Sequence, residues 1–412
     1  MSLFESASLV VTPNGTKASK LYAIKPTSGA GDLTVTRATT ATRVNSAGLI
    51  ESVANNVPRL DYTGSTCPTI LVEPQRTNLV LRSQEFDNAS WLTFRSSVTA
   101  NATISPDGNT NAEKLIQEST TTDSGGIYQN LSLSNSTVYT YSVYLKSAGY
   151  NFGLLRVNGS KFAWFDLSNG VVGSITGGGS SSIQNVGNGW YKCIFTFTTT
   201  STVGEPHIYI AQTNGSTIVS SADGVKGIFA YGAQIEAGSY ATSYIPTVAS
   251  SVTRNADVIS KTGISSLIGQ TEGTLFLDFN FNYSDSTTQV LLKASQSNDA
   301  NSVGIEVQNN VLKAIINSSS SNIANITNTI STGRIKCAIA YKSNDIVFYV
   351  NGSLVGTDTS GTINFAGNVD MLTLGHFNLL GTLYFQSSRP FNSAILFKTR
   401  LTNAELAEIT TI

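Results

Sequence analysis

The chain reads as an all-β protein in which an irregular N-terminal segment is followed by two β-sandwiches. Three observations predict this. Apolar residues alternate with polar ones over many short stretches, the period of two that half-buried strands require. Turn formers (Gly, Pro and pairs such as Asn188-Gly189 and Asn351-Gly352) separate those stretches. Charged residues make up only 12% of the 412 positions, and Ser, Thr, Asn and Gly fill the gap, which suits strands joined by turns. No heptad repeat marks a coiled-coil stalk.

Residues 1–80 alternate short apolar runs with Gly, Pro and Asn. Leu21-Tyr22-Ala23-Ile24, flanked by lysines, is one plausible strand. Within Val57–Leu79, Pro58, Pro68 and Pro74 each fix φ and withhold a donor, which excludes a long helix or central strand. Thr69-Ile70-Leu71-Val72 is a short buried-strand run. Around it Arg59, Asp61, Glu73 and Arg76 are unusually close together for so weakly charged a chain, and their expected role is to pair.

Residues 81–250 read as the first sandwich. Tyr139, Tyr141, Val143 and Leu145 share one face of a strand. Asn188-Gly189 turns the chain into Trp190–Phe197, where Tyr191, Cys193, Phe195 and Phe197 share a face. The Gly177–Ser182 run lacks a following Lys-Ser/Thr and opens no helix, so it is a flexible loop and not a phosphate loop. Residues 251–271 read as a linker. From 272 to 412 a second sandwich begins with alternating Leu275, Leu277, Phe279 and Phe281, and continues in a hairpin reversed at Asn351-Gly352. Near 402–409, Thr402 and Glu405 form a capping-box pattern for one short helix.

The segments Thr36–Val44, Gly48–Glu51 and Glu73–Leu79, with Tyr231–Glu236 and Ala241–Thr247, resemble a family of bacteriophage virion proteins, the tail-fibre, head-fibre or minor structural proteins. Arg254-Asn255-Ala256-Asp257 echoes the same family's junction. The Gly189-Trp190-Tyr191 strand entrance resembles a jelly-roll carbohydrate-binding module. The 346–352 hairpin with Leu374-Gly375 resembles the laminin-G and concanavalin A-like lectin fold. The resemblance implies an N-terminal virion-attachment segment and a homotrimer, with Arg59, Asp61, Glu73 and Arg76 pairing between chains. It also implies contact with other virion proteins of head or tail and, through the outer modules, with host-surface glycans.

The chemistry narrows the function classes. Net charge is −1, which gives no electrostatic case for nucleic acid or an anionic membrane surface. No apolar run approaches the roughly 20 residues that span a bilayer. The N-terminus has no signal-peptide pattern. Cys67, Cys193 and Cys337 are odd in number and far apart, so neither disulfides nor zinc is expected, and the latter two read as buried inert thiols. His207 and His376, the two histidines, sit in different expected domains, and His207 reads as structural. The Glu-x-Asp-x-x-Glu pattern of glucanases on lectin-like folds is absent. Its nearest piece, Glu85-Phe86-Asp87, reaches Ser90 in place of a second glutamate. No cofactor is expected; a structural calcium, common in related sandwiches, has only Asp278 and Asp370 as unremarkable candidates. For sugars, an aromatic ring must meet the sugar's apolar face beside polar groups. Trp164 is the ring to consider, with His376, Asn378 and Tyr384 at a rim of the second sandwich; Trp91 and Trp190 read as structural. The expectation is a non-enzymatic virion fibre protein contacting glycans. The alternatives are a virion-associated polysaccharide hydrolase and a purely structural capsid decoration protein.

Overall fold

The structure is a computed structural model describing residues 2–120, 122–157, 159–379, 382–384 and 387–412, with the backbone alone at 378–379 and 382–384. It is all-β, built as two sandwiches. The α-helices among the described residues are Leu3–Ser6 and Asn403–Thr410.

The first sandwich packs two six-stranded antiparallel sheets. One runs Ser96–Ile104, Thr110–Gln117, Gly227–Ala237, Val138–Ala148, Trp190–Thr198 and Ser180–Gly187. The other runs Val171–Thr176, Lys161–Asp166, Phe152–Val157, His207–Ala211, Gly126–Tyr128 and Leu92–Phe94. Alternation decides the core. Tyr141, Val143, Leu145, Cys193, Phe195 and Phe197 from the first sheet meet Leu155, Val157, Ala163, Phe165, Ile208 and Ile210 from the second. Each large side chain so buried contributes roughly 1.5–3 kcal/mol. Asn188 and Gly189 both have positive φ (52° and 76°), as the expected tight turn requires.

The second sandwich is one sheet folded over on itself, and its strand order corrects the expected domain boundaries. On one side of the fold lie Ser321–Thr329, Val311–Ser318, Ser302–Gln308, Gln289–Ser295 and Met371–Leu374. On the other lie Arg389–Phe397, Glu272–Phe281, Gly333–Lys342, Asp345–Val350 and Ser353–Asp358. Between them run Val258–Lys261, Leu33–Thr36, Lys20–Lys25 and Leu9–Lys17. The N-terminal stretch, expected as irregular, thus joins the two halves of the sandwich that ends the chain. Leu9 pairs with Leu396, Val35 with Ile259, and Ile259 with Leu374. Thr69–Val72 adds to the same sheet beside Arg389–Phe391. Leu9, Val11, Leu21, Val35, Ile70 and Val72 are buried with Leu275, Phe279, Ile305 and Phe348 in a single core. Sequence alternation revealed which residues face inward, but it carries no information on which distant strand each would pair with.

The first sandwich is therefore an insertion within the second. Its two connections, Arg76–Asn78 going out and Val252–Arg254 returning, pair with each other antiparallel. The stretch expected as the linker 251–271 holds this returning strand and the sheet strand Val258–Lys261. The C-terminal helix forms at the expected place. Glu405 N–H donates to Thr402 Oγ1 (3.3 Å), Glu405 Oε2 accepts from Thr402 N–H (2.7 Å), and Leu406 packs on Phe276 and Tyr349 outside the sheet. Asn351 and Gly352 (φ 48° and 79°) form the turn beneath it, where Gly352 N–H donates to Thr410 Oγ1 at 3.1 Å.

Where the two connections meet, the chain buries charge. Arg37 Nη1 lies 2.7 Å from Asp257 Oδ1, Arg59 Nη1 2.8 Å from Glu73 Oε2, and Arg254 Nη1 2.7 Å from Glu73 Oε2. Arg59 Nη2 also donates to Asp257 Oδ2. All five side chains are at most 4% exposed. Removing such charges from water costs several kcal/mol per ion, which only good geometry and further hydrogen bonds offset. Those bonds are present. Ser243 N–H and Oγ donate to Glu73 (2.8 and 2.6 Å), Arg254 Nη2 donates to Pro74 O (2.7 Å), and Arg59 Nη1 donates to Thr42 O (3.0 Å). Burial alone would raise the Glu73 carboxyl, but Arg254 and Arg59 hold it well below the usual range. Burial would lower the Arg59 guanidinium, and Asp257 and Glu73 overrule it.

Two outcomes follow. A fragment of residues 272–412 lacks the strands that join its two halves and stays unfolded, whereas a chain in which residues 79–251 are replaced by an Asn-Gly turn unfolds cooperatively by near-ultraviolet circular dichroism. Cooperative unfolding of the short fragment would refute the discontinuous sandwich. Secondly, because Glu73 titrates lower in the folded state than in the unfolded chain, its contribution is complete above the ordinary glutamate range near 4.3 and is lost as pH falls below it. Glu73→Gln lowers stability by about 3–5 kcal/mol at pH 7 and flattens the acid side of the profile, read from urea midpoints.

Candidate functional site

The second sheet of the first sandwich has an outer face made largely of rings. Leu155, Ala163, Phe165, Ile208 and Ile210 point into the core, so the alternate residues Phe152, Arg156, Phe162, Trp164, His207 and Tyr209 point out. Phe162 stacks on Trp164 (5.5 Å between centroids, 15°), Tyr128 on His207 (4.8 Å, 21°) and Phe94 on Tyr209 (6.3 Å, 25°). This last stack spans the strand between them because its residue there is Gly126. A Cβ at Gly126 would sit 2.4 Å from the Tyr209 ring and 2.1 Å from Ile208 O. Arg156 lies between the ring groups, with its Cζ 5.5 Å from the Phe162 centroid and 5.7 Å from that of Tyr209. Its Nη1 donates to Tyr209 Oη at 3.0 Å. Phe94 and Leu92 are each 41% exposed, and Phe152, Tyr128 and Phe162 are half-buried. Tyr209, His207 and Trp164 are buried beside them, so the accessible apolar part of the face is Leu92, Phe94, Tyr128, Phe152 and Phe162.

Of the residues singled out from the sequence, Trp164 lies on this face but is 4% exposed, and its Nε1–H donates to Ser216 O at 3.1 Å. It supports Phe162 from beneath and is not itself a platform, a correction that follows from the 212–219 loop closing over it. Trp91 and Trp190 are buried and donate to Arg82 O and Ile104 O (both 3.0 Å). His207 is stacked and buried, and burial, then Arg156, push it down to about 3. His376, expected at a rim, is fully buried with Nδ1 3.1 Å from Leu374 O, and burial pushes it down to about 4. The side chains of Asn378 and Tyr384 lie outside the described residues; their strands, Phe377–Leu379 and Thr382–Tyr384, pair as a hairpin.

Of Arg59, Asp61, Glu73 and Arg76, only Arg59 and Glu73 pair with each other. Asp61 accepts from Val44 N–H and Thr63 N–H (2.8 and 2.9 Å). Arg76 Nε lies 3.7 Å from Glu236, and its Cζ lies 5.1 Å from the Tyr240 ring. Arg59 and Glu73 are thus buried in contacts within one chain. Asp278, weighed for calcium, is held by Arg334 (3.0 and 2.5 Å) and Asn392 (2.8 Å), and Asp370 accepts Ile264 N–H through its backbone (3.0 Å). Among the described residues no three His, Cys, Asp or Glu side chains gather as metal ligands. A cleft of about 1460 Å³ lies between the sandwiches, lined by polar side chains such as Gln184, Asn280 and Asn392 and by apolar surface from residues such as Pro68, Leu71 and Pro390. Sequence reading missed Phe94, Tyr128, Arg156, Phe162 and Tyr209. The available signal was that the residues alternating with the core set are themselves aromatic.

No family model matches the chain, and no curated protein matches it. Solved structures give partial likenesses. The Ruminococcus gnavus IT-sialidase CBM40 bound to α2,3 sialyllactose is 15% identical over 37% of this chain and 91% of that one, with a TM-score of 0.32. The NanB sialidase from Streptococcus pneumoniae is 19% identical over 37% and 26%, also at 0.32. A SAP-like pentraxin from Limulus polyphemus is 16% identical over 33% and 68%, at 0.26. Likenesses of this size identify neither a family nor a ligand.

Proposed function

We propose that the chain is a non-catalytic glycan-binding protein that holds its ligand on the aromatic outer face of the first sandwich. The set of rings formed by the half-buried Phe162 and Tyr128 and the exposed Phe94, backed by the buried Tyr209, carries this reading. It crosses five neighbouring strands, which lie about 4.8 Å apart, close to the length of one pyranose unit. Ring faces receive the apolar faces of sugars, and a hydroxyl such as that of the half-buried Tyr128 suits their polar edges. The setting we propose is a bacteriophage particle, as a head or tail fibre, on the strength of the Thr36–Val44, Glu73–Leu79 and Ala241–Thr247 segments. A trimer belongs to the same proposal, with contacts outside the Arg59–Glu73 network.

Screening the full chain on arrayed polysaccharides, followed by calorimetry on the best ligand, tests the reading. Phe94→Ala and Phe162→Ala are each expected to weaken binding about 3–10-fold, the size of an aromatic contact, with little change in Tm. Undiminished binding by the double variant would place the ligand elsewhere.

A further inference from the structure

Arg156 sits in the middle of this face with its charge unmatched. Every other arginine except Arg389 has a carboxylate oxygen within 3.7 Å. Arg389 is fully buried between Phe281 and Tyr283, with its Cζ 4.4 and 3.5 Å from their centroids. Arg156 is half-buried and, among the described residues, has no carboxylate oxygen within ion-pair distance. Its Nη1 donates to Tyr209 Oη and its Nη2 makes a long contact with Gly159 O, at 3.4 Å. Glu205, the acid closest in sequence to this part of the face, lies 3.8 Å from His207 Nε2. The other cations nearby are engaged: Arg95 faces Asp123 (2.6 Å), and Lys161 donates to Gly177 O (2.7 Å).

A guanidinium set between two rings and bonded to Tyr209 Oη is preorganised, so little side-chain freedom remains to be lost when an anion arrives. Its planar fork matches a carboxylate, which accepts two parallel N–H bonds. We infer that the glycan bound on this face is acidic and that Arg156 takes a sugar carboxylate. This rests on the glycan-binding reading above. The rings grip the sugar, and Arg156 selects the charged residue of the chain.

The test uses the full chain with four probes: a uronic-acid polysaccharide, the same polymer after carboxyl reduction, a neutral dextran and a sulfated dextran. The uronate polymer is expected to bind at least about tenfold more tightly than its reduced form, the worth of a hydrogen bond to a charged group. Arg156→Gln is expected to abolish that difference while keeping Tm, and Arg156→Lys to restore it only in part, because the fork is lost. Equal binding of the uronate and reduced polymers overturns the inference and leaves the glycan reading standing. So does preference for the sulfated dextran, or a preference for uronate that survives in Arg156→Gln. Binding of none of the four overturns both.

Discussion

The buried charge cluster at the neck is the interaction on which the rest of the architecture depends. The chain leaves one sandwich, builds a second, and returns to complete the first, so two connections must be held side by side. Their pairing is only three residues long, Arg76–Asn78 against Val252–Arg254. A ladder this short holds nothing by itself. Arg37, Arg59 and Glu73 come from the outgoing half and Arg254 and Asp257 from the returning half, so every ion pair among them except Arg59–Glu73 joins the two. Glu73 and Asp257 each meet two arginines, so removing one member weakens the balance of charge for the rest and couples the whole cluster.

The same neck gathers the segments Thr36–Val44, Glu73–Leu79, Tyr231–Glu236 and Ala241–Thr247. They lie far apart in the sequence and converge here. Ser243 bonds Glu73, Thr242 N–H and Oγ1 donate to Glu236, and Thr42 Oγ1 donates to Tyr244 O. Asn78 completes the set, donating to Ala233 O and Ile245 O and accepting from Val80 and Ile235 N–H. These residues shape the junction between the sandwiches. The rings of the aromatic face lie in the stretch 92–209, between Glu73–Leu79 and Tyr231–Glu236.

Local features were legible in the sequence because their physics is local. The period of two placed Tyr141, Val143, Phe195 and Phe197 in a core, Asn-Gly pairs marked two tight turns, and Thr402 with Glu405 marked the helix start. The importance of Val57–Leu79 was legible as well, since four charges in so neutral a chain require partners. The identity of those partners was not. Arg59 reaches Asp257, 198 residues away, and nothing in either neighbourhood encodes the distance. The same limit hid the discontinuous sandwich, since Leu9–Lys17 reads as a strand without saying that it pairs near the C-terminus. Trp164 lies on the aromatic outer face, but its indole is bonded to Ser216 O from a distant loop, so its burial could not be read from its neighbours.

A rigid neck has a consequence for the aromatic face, because the inserted sandwich is carried on both connections at once and does not swing on a single linker. Stacking of Tyr240 on Tyr283 (3.8 Å) and the bond from Ser239 Oγ to Asp285 (2.6 Å) add direct contact between the sandwiches. Coupling of the two is the central claim, and the chain carries its own probes. Trp91, Trp164 and Trp190 are all buried in the inserted sandwich, and Cys337 is buried in the core of the other. Urea unfolding followed by tryptophan fluorescence and by labelling of the Cys337 thiol should give coincident midpoints, as one cooperative unit requires. Loss of the fluorescence signal while Cys337 remains protected would contradict the account.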